Sequence, residues 1–219
     1  MVISKLIVII KNIFLIISFS NFSSTKFIHC TSFKQKDCVM ATKTLQIGST
    51  IPDFDLLSID GKTYSLDAFK DKKALIIIFS CNHCPYVQAY ENRIMAIQKD
   101  YEQKGVAVVA INSNDAVQYP DDSFEEMKKR AALKKFNFVY GRDEDQSVAK
   151  NFDAAHTPEI FLFNEERKLV YHGKIDDNWQ EEQKVKTKYL REALDEMLSG
   201  KEISVPETYS IGCTIKWKR

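Results

Sequence analysis

The chain has no excess of charge: 31 lysines and arginines stand against 30 aspartates and glutamates, and no basic stretch carries interleaved aromatics. Nucleic acids and other polyanions are recognised by such basic footprints, so this class of partner is not expected. Cysteines are few. Cys30, Cys38, Cys81, Cys84 and Cys213 are too scattered for the disulfide framework of a small secreted domain. His29, His83, His156 and His172 are dispersed and form no short-spaced pair with a cysteine outside residues 81–84, which argues against a structural zinc site. Attachment of c-type haem needs histidine directly after the second cysteine of a pair, and Pro85 stands there. No cofactor and no metal are therefore expected.

A long uninterrupted apolar run is missing as well. Leu6 to Phe19 is broken at Lys11 and Asn12, which leaves each piece short of the roughly 20 residues of a membrane span, so no stable span is expected in the mature protein. Three readings of this leader, residues 1–39, stay open. It is a secretory signal with Lys5 ahead of the apolar run and Ser18-Phe19-Ser20 as cleavage site, or an organelle transit peptide free of acid before Asp37 but also free of arginine. In the third, translation starts at Met40. The third reading implies a cytoplasmic protein, the others a secretory or organellar one. With 219 residues and 44% hydrophobic content, the rest of the chain supports one core, so residues 40–219 are expected to form one domain with a tail over 201–219.

What the chain does have is Cys81-Asn82-His83-Cys84-Pro85, placed between an apolar run and a helical repeat. Ala74 to Phe79 is apolar at every position, as in a strand covered on both faces. After Pro85, a good first-turn residue, Val87, Tyr90, Ile94, Ile97 and Tyr101 recur at helical spacing until Gly105. Two thiols at a helix mouth meet free backbone N–H groups and the positive end of the helix dipole, both of which stabilise a thiolate. Disulfide exchange is the chemistry this favours, with Cys81 attacking, Cys84 resolving and His83 tuning the thiolate.

Alternation along the chain sets the fold class. Phe54–Leu57 and Thr63–Ser65 flank Asp60-Gly61 as a β-hairpin, Val106–Ile111 is a second buried strand, and Asn112–Asp122 is polar. Ser123-Phe124-Glu125-Glu126 matches a capping box, and a short strand and short helix follow over 138–140 and 146–152. Ile160–Phe163 and Leu169–His172 form an antiparallel pair before a last helix at 188–199. The expected fold is α/β: a mixed central sheet flanked by helices, with an N-terminal hairpin. Asp176, Asp177 and Trp179 read as a solvated loop.

The CxxC pair behind a buried strand, together with Thr157-Pro158 entering a terminal hairpin and helix, resembles the thioredoxin-like superfamily. Gly48-Ser49-Thr50-Ile51-Pro52-Asp53-Phe54 and Cys84-Pro85 are similar to its AhpC/TSA, peroxiredoxin-like branch. The resemblance runs from about Gly48 to the end and implies a thioredoxin fold, Cys81 and Cys84 as catalytic dithiol, and Pro158 as a cis-proline facing it. It also implies that Thr157, Pro158 and His83 face or tune the site, with backbone beside Pro158 free to pair with an extended substrate segment. Substrates would be protein or small-molecule disulfides, or peroxides, with a thiol electron donor. Thioredoxin's tryptophan, Gly-Pro and buried acid are replaced here by Ser80, Asn82-His83 and Leu75, and Cys81 stands where peroxidases of the branch carry threonine. The alternatives are a thiol peroxidase attacking through Cys84 and a non-catalytic adaptor of the same fold. His156 reads equally as a tuning group and as an ordinary loop histidine, and Cys213 as an additional thiol or, preferably, a buried tail residue.

Overall fold

The computed structural model describes residues 45–219; the leader over 1–39, with Cys30 and Cys38, lies outside the described residues. At its centre are two seven-residue strands, β3 (Ala74–Ser80) and β4 (Val106–Asn112), buried at every position. Their unbroken apolar runs leave no face for water, and they pair in parallel, Ala74 opposite Val106 through Ser80 opposite Asn112. A hairpin, β1 (Asp55–Ser58) and β2 (Thr63–Ser65), turns at Gly61 in the left-handed region and joins the sheet along β5 (Val139–Arg142). On the other side run β7 (Glu159–Phe163) and β8 (Leu169–Gly173), both antiparallel additions. The order is β2-β1-β5-β4-β3-β7-β8, a mixed sheet with the expected N-terminal hairpin.

Helices cover both faces. Because strand side chains alternate, Ile76, Ile78 and Val108 point to one side, where α1 (Pro85–Tyr101) and α4 (Tyr189–Leu198) bring Ile94, Ile97, Leu190 and Leu194. Leu75, Ile77, Phe79 and Val109 point to the other, against Val148 and Phe152 of α3 (Ser147–Phe152). Phe79, Phe152 and Phe161 meet edge to face at 5.4–5.8 Å between ring centres. Truncating such a buried ring to alanine costs about 3–5 kcal/mol. Among the described residues no helix is long and apolar enough to cross a membrane.

Two local expectations are corrected. Helix α2 (Phe124–Lys134) does begin after Ser123, but Ser123 makes no side-chain cap; Glu126 is drawn forward to Lys129 at 2.6 Å instead of back to the helix start. Asp176 is not solvated. It is buried and accepts from Arg93 Nη1 at 2.6 Å and Tyr90 hydroxyl at 2.9 Å, which clamps α1 to the loop after β8. Trp179 of the same loop packs on Tyr86 with ring centres 4.2 Å apart. The tail is not a loose appendage either: β9 (Cys213–Thr214) pairs antiparallel with β6 (His156–Thr157) in a second small sheet.

Candidate active site

The β3-to-α1 junction places both cysteines. The apolar strand ends at Ser80, Pro85 opens the helix as its first residue, and Cys84 is left at the N-cap with extended backbone. Asn82 holds the turn between them. Its N–H donates to Asp122 Oδ1 at 2.6 Å, its side-chain amide donates to Asp121 carbonyl at 2.7 Å, and its Oδ1 accepts from the Tyr140 hydroxyl at 2.9 Å. Both cysteine side chains are enclosed, Cys81 being 1% and Cys84 0% exposed.

The Thr157–Pro158 bond is cis, as the resemblance implies, and the loop faces the dithiol. Thr157 touches both sulfurs: its hydroxyl lies 3.4 Å from Cys81 Sγ and its carbonyl oxygen 3.2 Å from Cys84 Sγ, where it accepts from the thiol whenever Cys84 is protonated. A threonine hydroxyl therefore reaches the Cys81 thiol from far along the chain, while Cys81 occupies the local threonine position. His156 sits in the same short strand, half-buried, and alternation turns its side chain away from the sulfurs that Thr157 contacts. Glu159 shapes this loop by accepting from the backbone N–H groups of Ala155 and His156 at 2.8 and 3.0 Å, and its second oxygen meets His172 Nε2 at 2.8 Å. The backbone edge beside Pro158 is not free for a substrate segment: Cys213 and Thr214 occupy it, opposite Thr157 and His156.

A buried acid is present although Leu75 replaces the one in the strand. Asp122, fully buried, closes the polar stretch after β4 and accepts four hydrogen bonds: Asn82 N–H and Asn112 Nδ2 on Oδ1, Asn114 Nδ2 and His83 Nδ1 on Oδ2. The His83 contact is 2.6 Å, and since an ionised carboxylate only accepts, Nδ1 carries the hydrogen and Nε2 is the free ring nitrogen. The imidazole stacks on Tyr119, ring centres 5.3 Å apart and planes within 10°. His83 is thus oriented by Asp122 and hydrogen-bonds to neither sulfur. Cys81, His83 and Asp122 offer ligand atoms within 4.8 Å of one another. With four donors already on the carboxylate, the trio reads as an acid, an imidazole and a thiol rather than as a metal centre.

Charge in the reduced site gathers on Cys84 instead of Cys81. The hydrogen bond from the Cys81 thiol, above all, outweighs burial and, with a second bond from Cys213, holds Cys84 down at about 4. Cys81 is pushed well above the usual thiol range because it donates that hydrogen bond, is buried, and lies near the Asp122 carboxylate. Cys213, raised to about 11 by burial and by its contact with Cys84, is the third member: its Sγ stands 2.9 Å from Cys84 Sγ. It is only partly buried. Sequence reasoning missed Asp122 and the strap that carries Cys213. A usable signal for the strap was present, because Ile211, Cys213, Ile215 and Trp217 alternate at strand period.

Known proteins bear on this geometry. The Redoxin family model matches residues 46–189. The thiol-disulfide oxidoreductase ResA of Bacillus thuringiensis subsp. konkukian is 23% identical over 156 residues, covering 70% of this chain and 78% of that protein. A chloroplastic peroxiredoxin Q of Sedum lineare is 28% identical over 139 residues, 61% of this chain and 69% of that one. The crystal structure of an uncharacterised conserved protein from Geobacillus kaustophilus superposes with a TM-score of 0.76 at 42% identity, covering 80% of this chain and 94% of that one. A mixed sheet between helices, a dithiol at the first helix and a cis-proline opposite it are what the thioredoxin-like fold provides, and the chain belongs to the Redoxin family.

Proposed function

We propose that this Redoxin-family thiol redox protein is a thiol-disulfide oxidoreductase in which Cys81 and Cys84 cycle between dithiol and disulfide. The observation that carries the reading is one group, Thr157, touching both sulfurs at the mouth of α1. A substrate disulfide is attacked by one cysteine sulfur, a mixed disulfide forms and one substrate thiolate leaves. The second cysteine then attacks the mixed disulfide and expels the other thiolate, so two electrons and two protons pass to the substrate. A thiol donor reverses the oxidation, and no bound cofactor is needed. Cys81 is the proposed attacking atom. In the reduced site the proton shared by the pair rests on Cys81, so attack requires that proton to cross to Cys84. His83, fixed by Asp122, and Thr157 shape the electrostatics of that transfer.

A second reading is favoured by the charge on Cys84 and the Cys84-Pro85 step: a thiol peroxidase in which Cys84 thiolate attacks one peroxide oxygen, the O–O bond breaks and hydroxide or an alkoxide leaves, and the sulfenic acid then condenses with a neighbouring thiol, releasing water. Cys81→Ser and Cys84→Ser proteins separate the two. Trapping of a mixed disulfide by Cys84→Ser is the expected result; peroxide turnover retained by Cys81→Ser would transfer the assignment to the peroxidase. Insulin reduction and peroxide consumption that both stay at the level of the double-serine protein would leave an adaptor.

A further inference from the structure

We propose that Cys213 is a third redox-active cysteine, which takes the disulfide over from Cys81 and brings one of its sulfurs to the surface as a Cys84–Cys213 link. The inference rests on the reading of Cys81 and Cys84 as a redox dithiol. Three observations carry it. The Cys84 and Cys213 sulfurs stand 2.9 Å apart, so less than about 1 Å of approach separates them from a bond of about 2.05 Å.

The strand that delivers Cys213 is also built in. Ile215 is buried and donates to Ala155 carbonyl at 2.9 Å, and the Lys216 backbone is held by Asn114 Oδ1 and the Asp115 N–H, both at 2.8 Å. Gln146 fixes the strap from beneath, donating to Lys216 carbonyl at 2.9 Å and accepting from Lys218 N–H at 2.8 Å. At position 212 only glycine fits, because a Cβ would collide with the Thr157 carbonyl group. Such a strap sets one sulfur at one point, which an idle tail has no need to do. Finally, Cys81 and Cys84 are sealed in, whereas Cys213 is partly open. A disulfide between the first two sulfurs is a more shielded target for an external thiol than a link that ends at Cys213.

The step is an exchange and needs no added oxidant. Cys213 thiolate attacks Cys84 Sγ of the Cys81–Cys84 disulfide; the 84–213 bond forms, the 81–84 bond breaks, and the electron pair stays on Cys81, which takes up the proton that Cys213 gave up. An external thiol then attacks Cys213 Sγ, forming a mixed disulfide with it and returning Cys84 as a thiol.

Full-length protein equilibrated in glutathione buffers, blocked with an alkylating agent and digested with trypsin without reduction tests this. Cys81 and Cys84 share the tryptic peptide 74–93, and Cys213 lies in 202–216, so the link joins two peptides. Wild type should yield the joined pair alongside the internal 81–84 disulfide. Cys81→Ser should yield the joined pair alone, which assigns it to Cys84. Cys213→Ser should keep the 81–84 disulfide and be reduced by glutathione roughly tenfold more slowly, since its remaining sulfurs are shielded. Should Cys81→Ser leave Cys213 freely alkylated while Cys213→Ser still oxidises, the third-thiol proposal is overturned and the dithiol stands. If Cys213→Ser forms no 81–84 disulfide, the dithiol reading itself fails.

Discussion

Two regions bring sulfur to the same point by different means. The junction at residues 80–85 is a product of its neighbours in sequence: a wholly buried strand ends, a proline starts a helix, and Cys84 must fall at the N-cap. The strap at residues 210–218 has two ladder residues and is held from three other places, by the side chains of Asn114 and Gln146 and by the Ala155 carbonyl of the loop before Pro158. The junction is anchored by the sheet's own hydrogen bonds and apolar burial. The strap has one buried apolar side chain, Ile215, and otherwise hangs on separate polar contacts, each worth about 1 kcal/mol. It follows that the strap can be loosened without unfolding the protein, and the junction cannot.

The largest effect should come from the atom both regions share. Cys84→Ser removes it, and disulfide exchange should drop to the level of the double-serine protein in an insulin-reduction assay. Next is the acid behind the junction. Asp122→Ala removes the acceptor of four hydrogen bonds, three of them from buried donors, and should cost about 3 kcal/mol in urea unfolding; an unchanged midpoint would mean that the junction does not depend on it.

A smaller loss is expected in the strap. Gly212→Ala should cost about 1–3 kcal/mol through overpacking against Thr157, and it should reduce the Cys84–Cys213 product in peptide mapping while the 81–84 disulfide still forms. Loss of both together would erase the distinction between the two regions. Asn114→Ala, which gives up the bonds to Lys216 and Asp122, should cost only about 1–2 kcal/mol.

The acid dependence sharpens the picture of the junction. Cys84 is held down at about 4, chiefly by the Cys81 hydrogen bond, from a thiol value of 9.0. A depressed value stabilises the native state above the unfolded thiol's pKa, and that contribution is lost as pH falls toward the folded one. Between those limits the unfolded chain binds one more proton at this site than the native chain does. Reduced wild type should therefore lose more stability than Cys84→Ser as pH is lowered from about 8 to about 5. The raised values of Cys81 and Cys213 act near and above pH 9, outside this window. Equal losses in the two proteins would show that Cys84 carries no charge.

Much of this was legible from residues alone. The unbroken runs at 74–79 and 106–111 announced buried strands, Pro85 announced the helix, and Asp60-Gly61 the hairpin, because each signal acts over a few neighbouring residues. Asp122 was not legible. It ends a stretch of Asn and Asp that looks like a wet loop, and its burial is decided by Asn82, Asn112, Asn114 and His83 folding over it. Asp176 was misread for the same reason, since Arg93 and Tyr90 meet it from a helix far away in sequence.

The order of residues therefore determined the sheet, its helices and the placing of two thiols at a helix mouth, since hydrophobic period and backbone geometry are short-range. Tertiary packing alone decided which acid orients His83, which sulfur gathers the charge and what covers the edge beside Pro158. Those outcomes depend on hydrogen bonds and burial between segments that lie up to 129 positions apart, and no local pattern encodes such distances.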